Sequence, residues 1–416
     1  MSALLIAAAL AQVGTAAGSA PPTSTDATAP QVHTGANTYV DLEGGVGYSS
    51  NPNLSIVNDQ GSAFGRVSLH AVHSRVSVRS TTLLSAYAED DSYTSHHGSQ
   101  QSLSVLGRHD AAVSEHTRLF VDGSASYQEG GQLDTRVLDL PIIPPPIPGG
   151  VITPPILIPP GGDFLSVTGR EYSFAGHGGG TFALGPRDSL SLSSGLEHVV
   201  FHSGLTRTAY TRIPASLSYD RQLTARTTVG ARVTAESTDY DGPATLRVIS
   251  PQLTARTLLS PTISLDGAVG VSFARIKNGV VTRNTTGLSA QANLCGQGET
   301  SFFCARFAAD EAAATTAGPA RSISGSVDYS KRLDAYQTIS FSLGATHYST
   351  PVSVLATQTF SAASYYHAAA SYSRKFATRL FGGVNLAARK VTQNGPDPNA
   401  DISASLFVRY RFGDLQ

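Results

Sequence analysis

From Thr38 onward the chain is a succession of short segments in which polar and apolar residues alternate, separated by corners and longer connections. The final segment shows the pattern most cleanly. Ile402, Ala404, Leu406, Val408, Tyr410 and Phe412 share one parity, and Ser403, Ser405, Phe407, Arg409 and Arg411 the other. Successive side chains of a strand point to opposite faces, so such a segment can turn one face to lipid and the other to water. Period-two stretches run over 38–49, 62–74, 77–90, 99–113, 116–129, 167–184, 187–203, 206–221, 225–240, 244–259, 262–277, 320–331, 335–350, 358–375, 378–393 and 401–413. That predicts about sixteen strands, with fourteen to eighteen allowed, most of them longer than the ~9–11 residues a tilted strand needs to cross a bilayer.

The connections fall into two classes by order. Tight corners follow every second strand, at Gly185-Pro186, Gln222-Leu223-Thr224, Ser260-Pro261, Arg332-Leu333-Asp334 and Ala377. After odd-numbered strands the connections are usually longer, as at Asn51 to Gly61, Glu129 to Val167, Asn278 to Pro319 and Asn394 to Ala400. The expected fold is all-β: a closed antiparallel transmembrane up-and-down barrel over 38–416, with short periplasmic turns, long extracellular loops and both termini on the periplasmic side. Tyr48, Tyr127, Tyr219, Tyr329, Tyr372, Tyr410 and Phe412 sit near strand ends on the apolar parity, where aromatic girdles are expected.

Composition narrows the class. Charged residues make up 14% of the 416, against about 25% in soluble domains. No internal run of ~18 apolar residues occurs, which excludes helical spans and leaves strands half lipid-facing and half wet. The formal net charge is -1 with no basic cluster interleaved with aromatics, so no nucleic-acid partner is expected.

The N-terminal segment Leu4-Leu5-Ile6-Ala7-Ala8-Ala9-Leu10-Ala11 reads as the apolar core of a signal peptide within 1–20, with cleavage near 11 or 20. The positively charged stretch that normally precedes such a core is missing, which leaves the true start open. Residues 21–37, rich in Pro, Ser, Thr and Ala, read as a disordered linker.

On the polar parity, serines recur: Ser324 and Ser326 beside Asp328, or Ser264 beside Asp266. A dry core would not tolerate them, whereas a water-filled lumen would. The lumen-lining candidates are Asp41, Glu43, Arg66, His70, Arg108, Asp110, Arg118, Asp122, Glu197, Arg212, Asp220, Arg232, Glu236, Asp266, Asp328, Arg409 and Arg411. Their mixed signs predict cross-strand pairs that brace the wall, with no strong selectivity for one ion. Leu140 to Gly162 carries nine prolines among Ile, Leu and Val, a stiff loop that either constricts the mouth or stays outside it.

Cys295 and Cys304, nine positions apart in the long connection from Asn278, read as a disulfide closing that loop. Two cysteines without a nearby histidine make no metal site. No nucleophile elbow, phosphate loop or zinc-binding helix motif is present, so neither enzymatic activity nor a cofactor is expected, and His70, His198, His347 and His367 stand alone.

Gly45-Val46-Gly47-Tyr48-Ser49-Ser50-Asn51-Pro52 resembles the opening strand of the putative β-barrel porin type 2 family, in which a tyrosine is followed shortly by Ser/Asp-Asn. The closing Val408-Arg409-Tyr410-Arg411-Phe412 looks like the strand read by the barrel assembly machinery, with Tyr410 and Phe412 as its signal, although Gly413-Asp414-Leu415-Gln416 follow. The resemblance implies residence in the outer membrane of a Gram-negative bacterium and a link to exopolysaccharide export. Contact with outer-membrane lipid and lipopolysaccharide follows from residence there, and a homotrimer is left open. The expected function is a porin-like channel for passive diffusion of small hydrophilic solutes or export of a secreted polysaccharide. The alternative is a non-conducting structural or surface-interaction barrel that works through its extracellular loops.

Overall fold

A computed structural model describes residues 35–54, 60–95, 97–129, 170–202, 209–279, 281–312, 320–349, 363–393 and 397–413. The strands are β1 (Gly35–Ser49), β2 (Ser62–Val76), β3 (Ser80–Tyr93), β4 (Ser99–Ala112), β5 (Thr117–Glu129), β6 (Arg170–Ala183), β7 (Asp188–His202), β8 (Tyr210–Gln222) and β9 (Thr227–Tyr240). They continue as β10 (Ala244–Ser260), β11 (Ile263–Asn278), β12 (Val281–Gln297), β13 (Ser301–Ala312), β14 (Ala320–Arg332), β15 (Gln337–Tyr348), β16 (Ala363–Ala377), β17 (Leu380–Gln393) and β18 (Asp401–Gly413). Each pairs antiparallel with its sequence neighbours, and β1 pairs with β18, which closes an 18-stranded barrel. Closure removes both sheet edges, so every ladder group has a partner strand. The described residues contain no helix long and apolar enough to cross a membrane.

Eighteen strands lie at the top of the fourteen to eighteen allowed, two more than the sixteen marked by alternation. The segment from Asn278 to Pro319, read above as a long loop, contains the hairpin β12–β13. Its alternation is hidden because both parities of Thr282 to Thr286 are polar and alanine recurs on both parities of β13. The extra pair of strands keeps the start of β1 and the end of β18 at the same end of the barrel. The connection from Asp241 to Pro243 is short, as the alternation spans 225–240 and 244–259 imply, and β1 starts at Gly35. Residues 1–20, read above as a signal peptide, most of 21–37, read as a linker, and the proline-rich 140–162 lie outside the described residues.

The two walls differ as period two requires. On β18, Ile402, Leu406 and Val408 are 65%, 59% and 56% exposed, while Ser405 and Phe407 on the other parity are buried. On β11 the outward parity is Ile263, Leu265, Gly267, Val269, Val271 and Phe273. At ~3.4 Å per residue and ~40° of tilt these eleven positions rise about 26 Å, the height of an outer-membrane apolar band. Soluble monomers rarely expose an apolar surface this continuous. Aromatics ring it near both rims: Tyr48, Phe174, Phe273 and Tyr366 at the loop end, and Tyr219, Tyr329, Phe341, Tyr372, Tyr410 and Phe412 at the turn end.

A disulfide joins Cys295 on β12 to Cys304 on β13, directly opposite in the ladder and on the inner wall. Rather than closing a loop, it staples a hairpin. Intact-mass measurement with alkylation is expected to show no label before reduction and two labels after it; labelling of the unreduced, unfolded protein would overturn the bond.

Candidate functional site

The inner wall is the candidate site, and it is assembled by ladder register. Asp41 and Glu43 on β1 share the parity of buried Tyr39 and Ser49 and lie opposite Arg411 and Arg409 on β18. Arg411 donates through Nε and Nη2 to the two oxygens of Asp41, 2.7 Å each, and its guanidinium covers the Tyr39 ring at 4.2 Å. Arg409 reaches Glu43 Oε2 at 2.9 and 2.7 Å. Stepping round the wall, Arg66 on β2 clamps both oxygens of Asp91 on β3 at 2.6 Å, with Glu89 3.5 Å away. His70 faces Ser85 at 3.3 Å.

Arg108 pairs with Asp110 two residues along β4. His177 on β6 lies 2.9 Å from Asp122 on β5. Arg212 on β8 bridges Glu197 at 3.2 Å and Glu236 at 2.6 Å, joining three strands. Asp220 accepts from Ser218 and Thr254. Arg256 pairs with Asp266, and Arg306 with Asp328 at 2.9 Å. Arg118 stands exposed at the turn end of β5.

Arg232 opens a longer relay. It donates to Gln252 Oε1, whose amide donates across β11 to Ser289 on β12 at 2.6 Å, and Ser289 donates to Asp310 at 3.0 Å. The step over β11 needs Gly270, where a Cβ would meet Pro251 O at 1.9 Å and Gln252 Cα at 2.7 Å. Bidentate and charge-assisted bonds of this kind hold side chains upright against the wall and leave small local fields.

The loop end is narrower in chemistry. After β1 the chain folds over the inner wall: Asp401, fully buried, accepts from Ser49 Oγ at 2.6 Å and Asn51 N at 3.0 Å. Arg389 on β17 donates to Asp401 Oδ2 at 2.7 Å and to Pro52 O at 3.0 Å. Leu54, with φ 47°, then packs among Tyr348, Ala363, Tyr365 and Val391. A non-glycine residue in this region costs ~1–2 kcal/mol, offset here by burial of its side chain. Residues 50–54 thus form a ledge inside the mouth. A second apolar cluster, Val199, Tyr210, Tyr240, Ala244, Leu246, Val248, Ala274 and Ile276, covers the inner wall of β7 to β11 at the same end.

The ledge residues were missed in the sequence. Ser49 to Pro52 carried only a family resemblance, and Asp401 could have been placed by its shared parity with Arg409 and Arg411. Glu89 and Asp91 were hidden by the acidic run Glu89-Asp90-Asp91. Arg256, Arg306, Asp310, His177 and Arg389 were also not singled out. Of the lone histidines, His198 and His347 face outward onto Thr211 and Ser364, and His367 faces inward stacked on Tyr365. Among the described residues no three His, Cys, Asp or Glu gather as metal ligands.

No protein-family model matches the chain, and no curated protein matches it. Among solved structures, it is similar to the FrpB iron transporter from Neisseria meningitidis (F5-1 variant), at 11% identity and TM-score 0.45 over 86% of this chain and 64% of that one. It is also similar to OpdQ of Pseudomonas aeruginosa, at 9% identity and TM-score 0.41 over 91% and 98%. OccK2 (OpdF) of Pseudomonas aeruginosa, in complex with glucuronate, gives 9% identity and TM-score 0.42 over 91% and 98%. The chain spans less than two thirds of the length of the FrpB transporter.

Proposed function

We propose that this protein is an outer-membrane channel for passive diffusion of small hydrophilic solutes. One observation carries the reading: a closed 18-stranded wall is lined inside by paired charges and hydroxyls and faced outside by a continuous apolar band. Barrels of 16–18 strands leave an aqueous lumen where eight strands would be filled. The inner carboxylates, guanidiniums and serines substitute for the hydration of a polar solute, and the mixed signs favour size selection over charge selection. An extended polysaccharide in transit fits the same wall, with export components at the turn end. β18, with the Tyr410 and Phe412 rings facing outward 4.7 Å apart and tilted to one another, supplies the strand offered to the barrel assembly machinery.

Single-channel recording in planar bilayers tests this. The folded protein is expected to give stable openings with weak ion selectivity; a folded protein that never opens overturns it. A non-conducting barrel acting through its loops is the second reading, favoured by the two apolar clusters at the loop end of the inner wall. Under that reading, trimming within the connection from Glu129 to Val167 removes partner binding, whereas a pore keeps its conductance.

A further inference from the structure

On the outer wall at the loop end, one row of the ladder runs Ser237, Arg247, Arg275 and Asn284 across β9 to β12, each the direct partner of the next. The row beneath is Ala235, Ile249, Phe273 and Thr286, with Ile249 and Phe273 half exposed on the apolar face. The row above is Asp239, Thr245, Lys277 and Thr282. The apolar band therefore ends at Ile249 and Phe273, and the first polar row beyond it puts two guanidiniums side by side with an ammonium next to them.

Like charges directly opposite each other in a ladder repel. Two other outward cations at this rim have partners: Arg170 donates to Glu129 at 3.0 Å and Lys390 to Pro398 O at 2.6 Å. Arg247, Arg275 and Lys277 are exposed and, among the described residues, have no ion-pair or hydrogen-bond partner. Asp239 borders the group but lies opposite Thr245, in the next row. An anion placed between the two arginines would turn repulsion into two charge-assisted, fork-shaped contacts, the geometry in which guanidinium matches phosphate.

We propose that Arg247 and Arg275, with Lys277 beside them, seat the phosphate headgroup of an outer-leaflet glycolipid. Level and chemistry agree. Phosphates of a lipid leaflet lie just outside the hydrocarbon band, where these side chains stand, and Ile249, Phe273, Val271 and Leu253 below offer an apolar track for the acyl chains. Ser237 and Asn284 close the row with neutral donors that suit phosphate or sugar oxygens. A free inorganic phosphate would share the cations but gain nothing from the apolar track. The inference rests on the outer-membrane reading above.

The test uses the folded full chain in detergent, with bis-phosphorylated lipid A, its dephosphorylated form, phosphatidylglycerol and inorganic phosphate as probes, read by native mass spectrometry. Bis-phosphorylated lipid A is expected to bind tightest. At ~1 kcal/mol per cation, replacing Arg247→Ser and Arg275→Ser together weakens it about thirtyfold. Arg247→Glu, which sets a carboxylate opposite Arg275, is expected to abolish binding while heat-modifiable gel mobility stays at the wild-type temperature or above it. Unchanged lipid A affinity in both variants overturns the seat, and equal affinity for inorganic phosphate overturns the lipid as its occupant. Bilayer conductance is recorded on the same variants: openings retained with lipid A lost support the seat, while absent openings with lipid A binding intact remove the channel and leave the seat standing.

Discussion

Replacing Arg389 by alanine is expected to cost about 3–5 kcal/mol of stability and to widen the mouth. Arg389 and Asp401 are 7% and 0% exposed, so the alanine leaves a carboxylate buried without its counter-charge, and the two remaining donors, Ser49 Oγ and Asn51 N, cannot replace a guanidinium. The same substitution removes the hydrogen bond to Pro52 O that holds the ledge down. Stability is read from denaturant-dependent gel mobility, and the ledge from single-channel conductance, which is expected to rise. A variant that fails to fold does not end the test. Arg389→Met with Asp401→Leu exchanges the pair for apolar groups, a change that is often neutral in stability, yet it still frees Asn51 and Pro52. Leu54→Gly removes the ledge's anchor and relieves its left-handed backbone at once. Conductance unchanged in both would show that the ledge does not narrow the pore.

Leu253→Arg is expected to lose about 2–4 kcal/mol and to fall in recovery from the membrane fraction. Leu253 is 69% exposed, midway along the outward parity of β10, so in water the substitution would fall within about 0.5 kcal/mol of neutral. Only a hydrocarbon surround makes it severe. The inner wall is expected to behave in the opposite way. Ser216, whose hydroxyl meets Ser193 at 2.7 Å, lies at mid-height on β8; Ser216→Arg forfeits one neutral hydrogen bond, about 1 kcal/mol, keeps the barrel, and lowers conductance while shifting selectivity toward anions. Equal stability losses at the two positions would remove the distinction between a lipid-facing and a wet wall.

The legible part of this protein was the part that period two carries. Along β18 the parity of Ile402 to Phe412 against Ser403 to Arg411 states which residues share a face, because a strand's alternation is local and needs no partner. The same rule put Asp41, Glu43, Arg409 and Arg411 on the polar parity of their strands, without saying which would meet. It failed where chemistry blurred parity: at β12 and β13, where polar residues or alanine fill both faces, and at Glu89-Asp90-Asp91, where acids occupy consecutive positions.

Alternation, and with it an all-β chain with one apolar and one polar wall, was thus determined by the sequence alone. The strand number, the closure and the identity of each charged pair were decided by tertiary structure, since they depend on register between strands far apart: Asp41 meets Arg411 across 370 positions and Asn51 meets Asp401 across 350. The same holds for the facing arginines, Arg247 and Arg275, which lie on separate strands and become a pair of like charges only when β10 and β11 align at one register. Register is a sum over a whole ladder, in which a slip of one residue exchanges every inward side chain for an outward one, and no local segment encodes it.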